Sequence, residues 1–148
     1  MLKRVMILTL LVSLVIGAVG VSGCVRSEVG TPSRETPARI FENVNPQETF
    51  ALIQSNRDNP DFVIIDVRTP KELADGYIEN VLNIDFYSET FRDELDKLDK
   101  DKTYLIYCRS GNRSGKALDI MAELNFTEAY NMLGGIIEWN AEGLPTVK

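Results

Sequence analysis

The segment of this chain best equipped for chemistry is Cys108-Arg109-Ser110-Gly111-Asn112-Arg113-Ser114. It follows the apolar run Tyr104-Leu105-Ile106-Tyr107 and leads into a stretch with helical spacing, so the sulfur is expected at the carboxyl end of a strand, in a turn before a helix. Gly111 permits a tight turn, and such a turn can aim successive backbone N–H groups inward as an anion cradle. The following helix adds its positive end, and Arg109 and Arg113 add two permanent positive charges. An unperturbed thiol titrates near ~8.5, and these surroundings predict a lower value and a thiolate at neutral pH. The segment reads as a cradle for a nucleophilic sulfur anion.

The chain contains no histidine, which excludes a Cys-His hydrolase and any histidine general base. The second cysteine, Cys24, is remote in sequence, and there is no Cys-x-x-Cys pair for disulfide exchange. A formal net charge of −6 argues against nucleic acid as a partner, since phosphate contacts need a basic face.

The elements that must position Cys108 follow from pattern. Asn45-Pro46-Gln47-Glu48 is a capping-box start for a helix running to about Asn56, and Thr69-Pro70-Lys71-Glu72 repeats the device for a short helix broken at Gly76. Phe62-Val63-Ile64-Ile65 and Tyr104 to Tyr107 are continuous apolar runs, as expected of strands buried on both faces. Val81 to Ile84 and Ala129 to Met132 are further strand candidates. Helices are predicted over Ser88 to Leu98, Ser114 to Leu124 and Ile136 to Ala141, with a turn at Gly134-Gly135. Alternation of this kind predicts an α/β domain from about Ile40 to Lys148, with a central parallel sheet of roughly five strands flanked by helices on both faces. Ligands bind such sheets beyond the carboxyl ends of the strands, where Cys108 falls. Asp66 and Arg68, at the end of one buried strand, are read as a structural ion pair or loop brace supporting the site. Trp139 is read as core, and the charged run from Asp93 to Lys102 as a solvated face.

Residues 1–23 stand apart from this domain. Lys3 and Arg4 precede an almost unbroken apolar run from Val5 to Val19, the pattern of a signal peptide. Val21-Ser22-Gly23-Cys24 resembles a lipobox, so Cys24 is the expected lipidation site, with plain secretion or an uncleaved helix as alternatives. Residues 24–39 are polar, with Gly30, Pro32 and Pro37, and read as a flexible tether. Loss of the leader removes Lys3 and Arg4 and no acid, so the exported part is more acidic than the whole. The expectation is a monomer outside the cytoplasmic membrane, at either membrane, held by a lipid anchor alone. Cys108 is then a thiol without a partner in the chain.

Three ordered segments carry a family resemblance. Cys108 to Ser114 with its Tyr107 lead-in resembles the active-site loop of rhodaneses. Asp66-Val67-Arg68-Thr69-Pro70-Lys71-Glu72, with Gly76-Tyr77-Ile78 and Asn83-Ile84, is similar to that family's first signature. Asn131-Met132-Leu133-Gly134-Gly135, with Trp139 and Gly143-Leu144-Pro145, is similar to its C-terminal one. Tyr77, where the family usually has His, and Asn80-Val81 are departures at scaffold positions. The resemblance implies a thiosulfate sulfurtransferase type of enzyme that needs no cofactor or metal. Cys108 would be the nucleophile, Arg109 to Ser114 the cradle for its persulfide, and Arg109 the group that recognises a small anionic donor, with Arg113 as a possible loop brace. A thiol or protein acceptor would then take the sulfur.

Two other classes share the fold. Cysteine phosphatases separate their cysteine and arginine by about five residues. Here only four stand between Cys108 and Arg113, and Ser114 holds the phosphatase arginine's place, so the loop suits a sulfur-sized anion. A non-catalytic binding module is disfavoured by retention of Cys108 and both arginines.

Overall fold

The computed structural model describes residues 38–148. The leader over 1–23, Cys24 and nearly all of the tether lie outside the described residues.

Five strands and five helices follow one another. They are β1 (Ile40–Val44), α1 (Pro46–Ser55), β2 (Phe62–Asp66), α2 (Pro70–Leu73), β3 (Val81–Asn83), α3 (Phe91–Asp96), β4 (Thr103–Tyr107), α4 (Asn112–Glu123), β5 (Glu128–Met132) and α5 (Gly135–Ala141). The strands form one sheet in the order β1-β5-β4-β2-β3, and every pairing is parallel. The expected α/β architecture is therefore the observed one. β4 lies at the centre, which is why its sequence is apolar without alternation: both faces are covered. Tyr104, Ile106 and Cys108 face a core shared with α3 and α4, while Leu105 and Tyr107 face one shared with Trp139 of α5 and Val44 of β1. Trp139 is buried, and its Nε1–H donates to the Pro145 carbonyl at 3.0 Å.

Both predicted capping boxes form. Asn45 and Glu48 exchange bonds of 2.9 and 2.8 Å, and Thr69 and Glu72 do the same at 3.3 and 3.1 Å. Each leaves fewer orphan amides in a first turn, worth about 1 kcal/mol per cap.

Several boundaries differ from the sequence expectation. β1 was not assigned from sequence, because Ile-Phe-Glu-Asn-Val has no clean alternation and most of it is exposed at the sheet edge. α3 is shorter than Ser88–Leu98, since Ser88 to Thr90 are held in a turn by the Ser88 hydroxyl. α4 starts at Asn112 and not at Ser114, so Asn112, Arg113 and Ser114 are its first turn and the loop proper is Arg109 to Gly111.

Gly134 and Gly135 have φ of +70° and +57°. Gly135 lies so close beneath the loop after β4 that an added Cβ would stand 2.4 Å from the Cys108 carbonyl oxygen and 2.6 Å from the Arg109 carbonyl carbon. Replacing Gly135 by alanine should cost at least the ~1–2 kcal/mol of the left-handed backbone, plus whatever relieves the overlap. The urea midpoint should fall, and a midpoint equal to that of the native chain would show that the loop is not held by this approach.

Candidate active site

Cys108 follows β4 directly and is only 1% exposed. Burial works against ionisation of its thiol. The groups around the sulfur outweigh that penalty and hold the thiol below its ordinary value: the Ser114 hydroxyl, at 3.4 Å from Sγ, and the backbone N–H groups of Ser114, Ser110 and Arg113. Two of those amides belong to the first turn of α4. Its N-cap residue is Gly111, with φ +86° and no side chain to offer, so no capping side chain claims the first-turn amides. The sulfur takes the place of the missing cap acceptor, and the helix dipole favours a negative charge there.

The loop's amides can turn inward because its carbonyls are held elsewhere. The Cys108 carbonyl accepts from Ile136 N–H at 2.9 Å and the Arg109 carbonyl from Ile137 N–H at 3.2 Å, both in the first turn of α5. An added Cβ on Gly111 would meet Gly134 N at 3.1 Å and the Met132 carbonyl at 3.2 Å, so the same turn closes on the loop from its far side.

The two arginines have different fates. Arg113 is bound bidentately by Glu72, at 2.6 and 2.8 Å, and its guanidinium lies over the Tyr87 ring at 5.3 Å. Arg113 holds the Glu72 carboxyl down at about 2 against a partly opposing burial effect, and Thr69 assists. Glu72 thus caps α2 and fastens α4 with the same carboxylate. Arg109 is exposed and makes no ion pair among the described residues. Lys116, one turn further along α4, is likewise exposed and unpaired there.

A cavity of about 470 Å³ opens over this loop, lined by Glu72, Tyr87, Arg109, Ser110, Asn112, Arg113 and Lys116. With the Glu72 and Arg113 charges offsetting each other, Arg109 and Lys116 leave its mouth positive. Glu72, Tyr87 and Lys116 were not singled out as site residues from sequence. Glu72 was read only as a helix cap, while the position of Lys116 one turn after Asn112 was the available signal for that residue.

Asp66 and Arg68 do not line the cavity. They form a buried pair at 2.7 Å, and Arg68 also donates to the carbonyls of Glu72 and Gly76. Asn83 closes the arrangement by donating to the carbonyls of Asp66 and Arg68 at 2.8 Å each. A second cavity, of about 250 Å³ between α1, β2 and α5, is walled by Phe50, Ile53, Phe62 and Trp139 and does not include the loop.

The rhodanese-like domain family model matches residues 49–142. The chain belongs to that family. It is 36% identical over 104 residues to a sulfurtransferase of Allochromatium vinosum, covering 70% of this chain and 95% of that protein. It is also 35% identical to a tRNA uridine(34) hydroxylase of Pectobacterium atrosepticum over 131 residues, which are 82% of this chain and 36% of that longer protein. Among solved structures, a rhodanese-related protein of Thermoplasma volcanium superposes with a TM-score of 0.59 at 32% identity, over 72% of this chain and 97% of that one. The Cys108 loop, the Glu72 clasp and the Gly134-Gly135 turn all lie inside the region matched by the rhodanese-like domain.

The site makes two measurable demands. The rate of Cys108 alkylation by iodoacetamide should rise with pH through a midpoint below the ~8.5 of an ordinary thiol, and Ser114→Ala should move that midpoint upward; an unmoved midpoint would remove Ser114 from the cradle. The second concerns Glu72, whose carboxyl is lowered from 4.5 to about 2 in the folded chain. Its pairing stabilises the fold fully above the unfolded value and is lost as pH falls toward the folded one. The stability difference between the native chain and Glu72→Gln, measured by urea unfolding, should therefore shrink between about pH 5 and pH 2.

Proposed function

We propose that this protein is a sulfurtransferase that carries sulfane sulfur as a persulfide on Cys108. The observation that carries this reading is the sulfur's position 3.4 Å from the Ser114 hydroxyl, inside a loop whose amides at Ser110, Arg113 and Ser114 favour its ionised form and whose outer side lines a positively charged cavity. Such a cradle favours a thiolate, and it favours equally the anionic persulfide formed from it, much as an oxyanion hole favours an alkoxide. The Cys108 thiolate attacks the outer sulfur of thiosulfate or of a persulfide or polysulfide donor. With thiosulfate, a Cys108–sulfur bond forms as the donor's S–S bond breaks, and sulfite leaves with the bonding electron pair. An acceptor nucleophile then removes the outer sulfur and regenerates the thiolate, which is covalent catalysis in two half-reactions. No histidine is needed, because each half-reaction exchanges one sulfur anion for another.

Arg109 is assigned to the donor anion: it borders the nucleophile, faces the mouth and has no competing carboxylate among the described residues. Arg113 is assigned to bracing, since Glu72 already occupies its guanidinium. The acidic chain and the leader-like residues 1–23 before Cys24 support a monomer that works outside the cytoplasmic membrane on a lipid anchor.

After incubation with thiosulfate, intact mass should increase by one sulfur atom, with the gain mapping to Cys108 and absent from Cys108→Ser. An unchanged mass would instead support a binding module. Arg109→Ala should raise the apparent KM for thiosulfate about tenfold, equivalent to ~1.4 kcal/mol, with a smaller effect on kcat. Unchanged donor saturation would remove Arg109 from donor recognition.

A further inference from the structure

With Cys108 only 1% exposed, the sulfur lies beneath the loop residues Arg109, Ser110, Asn112 and Arg113 that line the cavity, and a flat protein surface does not reach it. Yet the surroundings of the mouth are larger and more apolar than a small anion or a small thiol would use. Of the six large apolar side chains exposed among the described residues, three stand beside this loop: Tyr87 at 69%, Leu133 at 46% and Ile137 at 49%. Tyr87 forms one bank, against Arg113. Leu133 and Ile137 flank the Gly134-Gly135 turn that packs against the loop. The backbone of Leu133 approaches Gly111, and the N–H of Ile137 bonds the Arg109 carbonyl. Arg109 and Lys116 line the same cavity as Tyr87, in a chain whose net charge is −6.

We propose that Tyr87, Leu133 and Ile137, together with Arg109 and Lys116, form a docking surface for a protein acceptor that presents a cysteine on a projecting segment with acidic and apolar neighbours. The inference rests on the sulfurtransferase reading above and names the acceptor class for that site. Depth requires the projection, the exposed apolar banks supply contact area, and the unpaired cations select and steer an acidic segment. In the transfer step the partner's thiolate attacks the outer sulfur of the Cys108 persulfide. A new S–S bond forms on the partner as the bond to Cys108 Sγ breaks, the transferred sulfur keeps the negative charge it carried in the persulfide, and Cys108 departs as thiolate with the bonding electron pair. No external oxidant or reductant is consumed.

The test uses the full chain, loaded with thiosulfate and freed of excess donor. Sulfur transfer is followed by mass spectrometry to a synthetic peptide with one central cysteine flanked by leucine and glutamate, to its counterpart with lysine for glutamate, and to cyanide. The glutamate peptide should react roughly tenfold faster than the lysine peptide, a preference that weakens with added salt. Leu133→Ser, which removes apolar area without adding charge, should slow transfer to the glutamate peptide by about tenfold while loading and cyanide turnover stay unchanged. Ile137→Ser, which keeps the N–H to Arg109, should selectively slow the peptide reaction. Equal rates for the two peptides, or equal slowing of peptide and cyanide in the variants, would overturn the docking surface. A chain that never gained sulfur would overturn the sulfurtransferase reading instead.

Discussion

Everything in this site depends on which way the peptide units after β4 point. A loop that wraps an anion must turn its N–H groups inward, which sends its carbonyls outward, where they need donors of their own. α5 supplies those donors. Ile136 and Ile137 lie in a first turn whose amides have no carbonyl within the helix, and they bond the carbonyls of Cys108 and Arg109. Two helix beginnings are thus satisfied together: amides of α5 by the loop's carbonyls, and amides of α4 by the Cys108 sulfur. The glycines at 134 and 135 are what let the two segments come this close.

Around that cradle the charges are divided by task. The Asp66–Arg68 pair is buried and tied to backbone carbonyls, where removing one partner would strand a charge at a cost of ~3–5 kcal/mol. The Glu72–Arg113 pair is less buried and joins α2 to α4 across the cavity wall. Only Arg109 and Lys116 remain uncommitted among the cations at the mouth, so the positive field faces outward while the sulfur is held by dipoles. That division suits a nucleophile that must be ionised without being neutralised by a fixed cation. A thiol whose value drops far below ambient pH loses nucleophilicity along with its proton.

Much of the frame was legible in sequence because it depends on local chemistry. Asn45 with Glu48 and Thr69 with Glu72 announce helix starts through side chains three residues apart, and the doubly buried strands announce themselves through unbroken apolar runs. β1 escaped because an edge strand with a polar exposed side lacks both signals. The beginning of α4 was placed two residues late for a related reason: its cap is a sulfur and a left-handed glycine, not a Ser, Thr, Asp or Asn.

By itself the sequence determined that a cysteine stands at the carboxyl end of a strand buried on both faces, that a glycine turn and two arginines follow it, and that no histidine is available as a base. Those are properties of neighbouring residues and of composition. Only the tertiary structure decided that Glu72 takes Arg113 and leaves Arg109 free, that Lys116 joins the mouth, and that Leu133 and Ile137 surface beside the loop. Glu72 and Arg113 are 41 positions apart, and the Gly134-Gly135 turn lies farther along the chain than the loop it supports. Contacts at such separations exist only once the parallel sheet has brought the carboxyl ends of β2, β4 and β5 to one edge, and no local pattern encodes which side chains then meet.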